Sequence, residues 1–222
     1  MKRILISLLL TFICLSAFAQ IPENAFGYNE YNSRRRDLFE KLPPITHGDI
    51  IFMGNSINDG CEWNELFRNR HIKNRGINGD HAEWMIDRLE GICKGKPRKV
   101  FLMAGINDLG DHKPVDSTAM WVLALVDSIH RASPRTEIYL QSILPNNDSI
   151  RPKSDFLMPL IPQVNAILKK GAEERGITYI DLFSLMVTPG TDEFNPKYTY
   201  DGLHCNGSGY LVWREAIKKY VK

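Results

Sequence analysis

Ser56, Asp201 and His204 are three residues of this chain whose types belong to one reaction. A serine hydroxyl is a poor nucleophile until a base takes its proton, and an imidazole does that best when a carboxylate fixes its tautomer. Ser56 closes the segment Gly54-Asn55-Ser56, directly after the apolar run Asp49-Ile-Ile-Phe-Met53. The run reads as a buried strand, which puts the hydroxyl in the tight turn at the strand's carboxyl end. Asp201 and His204 stand three apart in Asp201-Gly202-Leu203-His204, a turn ahead of the last helical pattern, and can face the same way. The implied chemistry is acyl transfer through an acyl-serine, with His204 as base and then acid and Asp201 orienting it.

These groups need a scaffold that brings residues far apart in sequence to one edge. Strands are expected at Ile50–Met53, Ile72–Arg75, Val100–Met103, Ile138–Ile143 and Thr178–Ile180, several of them continuous apolar runs of the kind a sheet covered on both faces requires. Helical spacing runs through Ala82–Cys93, Met120–His130 and Pro159–Glu174, and Ser208 is placed to cap a last helix reaching Tyr220. Strand and helix alternate, which predicts a three-layer α/β/α, flavodoxin-like domain on a mainly parallel five-stranded sheet. Ligands of such sheets bind outside the carboxyl ends of the strands, where Ser56, Gly79 and Asn107 all fall. Trp63, Leu66 and Phe67 share helical spacing and read as core, and Arg34 to Arg36 as the solvated face of a helical pattern.

Four blocks, in order along nearly the whole chain, carry a resemblance: Gly54-Asn55-Ser56, Asn74-Arg-Gly-Ile-Asn-Gly-Asp80, Gly105-Ile-Asn-Asp108 and Asp201-Gly-Leu-His204. With them the chain resembles the SGNH, or GDSL-type, hydrolases. That resemblance implies a serine esterase with Ser56, Asp201 and His204 as catalytic triad. It also implies an oxyanion hole made by the backbone amides of Ser56 and Gly79 and the side-chain amide of Asn107. Gly79 is taken over Gly76 because the family's oxyanion glycine directly precedes the aspartate; Gly76 is read as relieving the backbone. Asn55 departs from the family's usual aspartate, keeping an acceptor and losing the charge.

Residues 1–19 have Lys2 and Arg3, an apolar stretch from Ile4 to Leu15, and Ala17-Phe18-Ala19, the layout of a signal peptide cleaved after Ala19. Bulky Ile13 argues against a lipoprotein anchor at Cys14, and the apolar stretch is short for a membrane span. The expected mature domain, 20–222, is periplasmic or extracellular. Its formal charge falls from +2 to zero with Lys2 and Arg3 gone, so neither nucleic acid nor a stable membrane association is expected. Cys61, Cys93 and Cys205 read as buried free thiols, with a Cys61–Cys205 bridge conceivable. No zinc spacing is present, and no metal or cofactor is expected. Gly-x-Ser-x-Gly, the dinucleotide fingerprint and the phosphate-binding loop are all missing.

The expected activity is release of a short acyl group, acetyl first, from a carbohydrate. The alternatives are a lysophospholipase or thioesterase, or a catalytically inactive glycan-binding module. The loops expected to wall the site, Pro145–Asp155 and Thr188–Tyr200, are largely polar and offer no continuous apolar wall for a long chain. Phe194, Tyr198 and Tyr200 are either faces for sugar rings or packing beneath the loop.

Overall fold

The structure, a computed structural model, describes residues 30–222. The segment read as a signal peptide, with Cys14, lies outside them. Among these residues five strands form one wholly parallel sheet: β1 (Ile50–Gly54), β2 (Ile72–Gly76), β3 (Lys99–Met103), β4 (Glu137–Gln141) and β5 (Thr178–Ile180). The order is β2-β1-β3-β4-β5, so the chain turns to one side of β1 and then crosses back to the other. This is a three-layer α/β/α domain, as the alternation predicted. Parallel sheets are covered on both faces, and every residue of β1 and β3 is buried.

Side chains alternate across a strand, so residues in register share a face. Phe52, Phe101 and Tyr139 are in register on β1, β3 and β4, and their rings stack at 4.9 Å and 4.6 Å. Trp63 of α3 (Trp63–Leu66) stacks on Phe52 at 4.4 Å and meets Trp213 of α10 (Gly207–Val221) edge-on at 4.9 Å. Trp63 is therefore core, as its spacing indicated. On another layer, α7 (Val115–Ala132) packs between α4 (Ala82–Asp87) and α8 (Ile161–Glu174). The ladder carries much of the stability, since each fully buried large apolar side chain contributes about 1.5–3 kcal/mol.

Around this frame lie α1 (Glu30–Lys41), α2 (Ser56–Asp59), α5 (Glu90–Cys93), α6 (Ile106–Gly110), a 3-10 turn at Pro152–Leu157 and α9 (Phe183–Met186). The pattern over Ala82–Cys93 is two helices, because the backbone leaves helical geometry at Arg88 (φ −103°, ψ 11°). Asn206, not Ser208, caps α10: its Oδ1 accepts from the Gly209 N–H at 3.1 Å, while its Nδ2 donates to the Lys197 and Thr199 carbonyls. One amide does both tasks, and Ser208, the second residue of the helix, already lies past the cap position.

The arginines of α1 are not simply a solvated face. Arg34 is exposed, but Arg35 pairs with Asp59 at 3.1 Å and Arg36 donates to Asn32 and to the Trp84 carbonyl at 2.7 Å each.

Candidate active site

β1 ends at Gly54 and α2 begins at Ser56, so the hydroxyl stands on the first residue of a short helix. Asn55 is the cap, its Oδ1 accepting from the Ile57 N–H at 3.1 Å. Ser56 Oγ is thereby free of the capping duty that serines often take, and it lies 2.9 Å from His204 Nε2. The His204 Nδ1 lies 2.7 Å from Asp201 Oδ2, a contact that puts the Nδ1 proton toward the carboxylate and leaves Nε2 the lone pair facing Ser56.

Asp201 Oδ1 accepts from the backbone N–H groups of Leu203 (3.0 Å) and His204 (2.7 Å), which closes the turn. Burial works against the charge, but these amide bonds and the His204 ring outweigh it and hold Asp201 below the ordinary carboxylate range. Gly202 has φ +84°, and a Cβ there would come within 2.8 Å of the Asn147 carbonyl, so this turn needs glycine. Thr199 Oγ1 donates to the His204 carbonyl at 2.7 Å, and Asn147 N–H donates to the Gly202 carbonyl at 2.9 Å. The segments after β4 and β5 thus hold each other.

Gly79 and Asn107 meet in one cleft of about 410 Å³ with Leu203, the neighbour of His204. Gly79 has φ +78°, a backbone state that favours glycine. The Asn107 Nδ2 donates one bond to the Asp80 carbonyl at 2.9 Å, and an amide nitrogen has a second proton to offer. Gly76 differs from the expectation placed on it. It is not among the glycines of positive φ; a Cβ there would lie 2.2 Å from the Asp59 backbone nitrogen, so it makes room for α2 rather than relieving the chain.

The rest of the cleft is mixed. Trp84, Ile106, Phe156 and Leu157 are apolar, while His81, Asp111, Arg151 and Lys153 interrupt them. The apolar part comes from elements outside the two loops singled out in the sequence. Phe194 is fully buried and packs beneath its loop, which removes it as a sugar platform. Tyr200 is 68% exposed and lies parallel to the His204 ring at 5.9 Å.

Three contributors were not legible. Asn74 Nδ2 donates to the Asn58, Asp59 and Cys61 carbonyls at 3.0–3.1 Å, satisfying the end of α2. Asp108 Oδ2 accepts from the Ala82 N–H at 3.1 Å and so caps α4. Arg151 Nη1 donates at 3.1 Å to Asp201 Oδ2, the oxygen His204 also uses. Their block membership was the only available signal for the first two.

The family model of GDSL-like lipases and acylhydrolases matches residues 46–212. The chain belongs to this family. Rat platelet-activating factor acetylhydrolase IB subunit alpha2 is 26% identical over 82% of this chain and 77% of its own length. Escherichia coli N-acylneuraminate cytidylyltransferase is 26% identical over 88% of the chain, which spans only 44% of that enzyme. Among solved structures, an acylhydrolase candidate from Bacteroides fragilis superposes with TM-score 0.75 at 26% identity, over 87% of this chain and 97% of that one. An acetylxylan esterase from Geobacillus stearothermophilus shares the fold at TM-score 0.63 and 17% identity, over 81% and 96%.

Proposed function

We propose that this GDSL-family protein is a serine esterase that removes short acyl groups, acetyl first, from carbohydrates. The observation that carries it is the relay from Ser56 Oγ to His204 Nε2 at 2.9 Å and from His204 Nδ1 to Asp201 Oδ2 at 2.7 Å. In this reading His204 takes the Ser56 proton as the oxygen attacks the ester carbonyl. The Ser56 and Gly79 backbone amides and the Asn107 side chain donate to the carbonyl oxygen as it becomes negative, each donor contributing about 3 kcal/mol in the transition state. The tetrahedral adduct collapses, the C–O bond to the alcohol breaks, and His204 returns its proton to that oxygen. Water, deprotonated by the same imidazole, then releases the acid and frees Ser56.

Charged and polar groups interleave with the apolar lining of the cleft, which supports a short acyl group over a long chain needing unbroken apolar cover at about 0.8 kcal/mol per methylene. Exposed Tyr200 beside His204 offers a ring face to a sugar at the rim. The leader-like residues 1–19 support export, where such esters are met.

The acetylhydrolase relatives support a second reading, in which the same acetyl group sits on a phospholipid. Acetyl, octanoyl and palmitoyl esters of one chromogenic alcohol, acetylated oligosaccharides, a lysophospholipid and an acetylated ether phospholipid are to be compared. We expect acetate release from the glycan and fast acetyl turnover, both abolished by Ser56→Ala without loss of fold. Preference for palmitoyl or the lysophospholipid would overturn the short-acyl reading, and acetate release from the phospholipid alone would overturn the glycan.

A further inference from the structure

One guanidinium joins the two loops that carry the proposed backbone oxyanion donors, Ser56 and Gly79. Arg88, whose side chain is 7% exposed, donates from Nε to Asp80 Oδ2 at 2.8 Å and from Nη2 to the Gly54 carbonyl at 3.3 Å. Gly54 ends β1, two residues before Ser56; Asp80 directly follows Gly79. The Asp80 carboxylate is fully buried, and its other oxygen accepts from Asn32 Nδ2 of α1 at 3.0 Å. The Asp80 carbonyl in turn takes the Asn107 Nδ2 proton at 2.9 Å. All three donors of the hole, Ser56 N–H, Gly79 N–H and the Asn107 amide, are therefore within three covalent or hydrogen-bonded steps of the Asp80–Arg88 pair.

Resting on the reading of this site as an esterase, we propose that Arg88 and Asp80 are positioning residues that lock the oxyanion hole into register, with Asn32 tethering the pair to α1. A buried ion pair is a poor stability device, because desolvation offsets most of its attraction. It does fix geometry. A guanidinium is planar with several donors at set angles, so it can hold a carboxylate and a carbonyl of two different loops at once. A lysine at the same place is a single ammonium on a flexible stem and gives up that rigid bridge. Displacing transition-state donors by about 1 Å costs on the order of a hundredfold in rate. Ground-state binding, made elsewhere in the cleft, is spared.

Arg88→Lys is the first test, read with a chromogenic acetyl ester and with a fluorophosphonate, which forms a tetrahedral adduct on a reactive serine. We expect kcat to fall between about tenfold and a hundredfold with KM within about twofold, and the phosphonylation rate to fall in parallel. Asn32→Ala, which leaves the ion pair in place, is expected to show the same split at smaller size. Where Arg88→Lys does not fold, Arg88→Ala refolded in sub-denaturing guanidinium serves instead. There kcat should recover with guanidinium and not with ammonium at equal ionic strength.

A lowered unfolding midpoint with kcat and phosphonylation at wild-type values would make the pair a structural tie and overturn the proposal. So would a change confined to KM, or equal recovery in ammonium. Wild-type protein that neither hydrolyses the ester nor is labelled at Ser56 would remove the esterase reading itself, a failure distinct from an active wild type with an indifferent Arg88→Lys.

Discussion

At the scale of single residues, the two asparagine amides near Ser56 have opposite assignments. Asn107 holds Asp80 with one proton, and in the proposed mechanism its second acts on the transition state. Asn107→Ala should lower kcat roughly a hundredfold with little change in KM. Asn55 works through its oxygen: Oδ1 caps Ile57, while Nδ2 is buried with no hydrogen-bond partner among the described residues. A carboxylate caps as well as an amide and loses no bond there, so Asn55→Asp should retain activity within a few-fold of wild type. Steady-state kinetics on one acetyl ester decides both, and the reverse order of effects would move the oxyanion role away from Asn107. The sequence showed these two residues as members of blocks. It could not show that Asn55 takes the capping duty and leaves Ser56 free, since either side chain is a good cap and only the helix start distinguishes them.

At the scale of elements, the carboxyl ends of β1, β2 and β3 present Ser56, Gly79 and Asn107, and α10 secures the segment carrying Asp201 and His204. Its docking has three polar points. Trp213 Nε1 donates to Gln141 Oε1 at 2.6 Å, the Tyr210 hydroxyl donates to the Ile57 carbonyl of α2 at 2.9 Å, and buried Lys99 of β3 donates to the Tyr220 and Lys222 carbonyls at 2.6 and 2.8 Å. The last carbonyls of a helix have no partner within it, so Lys99 serves as a cap supplied by the sheet. Lys99→Met should therefore lower stability by about 1–3 kcal/mol, seen as a lower urea midpoint, with kcat near wild type because the lysine lies at the far end of β3 from the cleft. An unchanged midpoint would show that water serves those carbonyls as well. The strands were legible because buried parallel strands are continuous apolar runs. The break at Arg88 was not, because Leu89 and Ile92 keep helical spacing across it while the side chain of Arg88 reaches Asp80 and Gly54, contacts that exist only after the chain has folded.

At the scale of the whole molecule, the three cysteines of the described residues report on opening of the fold. Cys61, Cys93 and Cys205 are free and buried, so the bridge conceivable between Cys61 and Cys205 is not formed in this structure. Burial disfavours the thiolate, pushing Cys61 up to about 12 and Cys93 to about 11 and raising Cys205 as well. The thiolate is the species that alkylates, so at neutral pH each of these sulfurs is inert twice over, by protonation and by lack of access. Reaction then requires an opening, and its rate follows the population of open molecules. Cys61 follows α2, which carries the proposed nucleophile Ser56, and Cys205 follows His204, whereas Cys93 ends α5. Treatment of the native protein with iodoacetamide at neutral pH should leave all three unlabelled and activity intact. In urea their labelling should rise together, along the transition reported by the fluorescence of the core tryptophans Trp63 and Trp213. Rapid labelling of Cys61 or Cys205 in native buffer, ahead of Cys93 and with loss of ester hydrolysis, would show instead that the segments bearing Ser56 and His204 open on their own while the aromatic ladder stays closed.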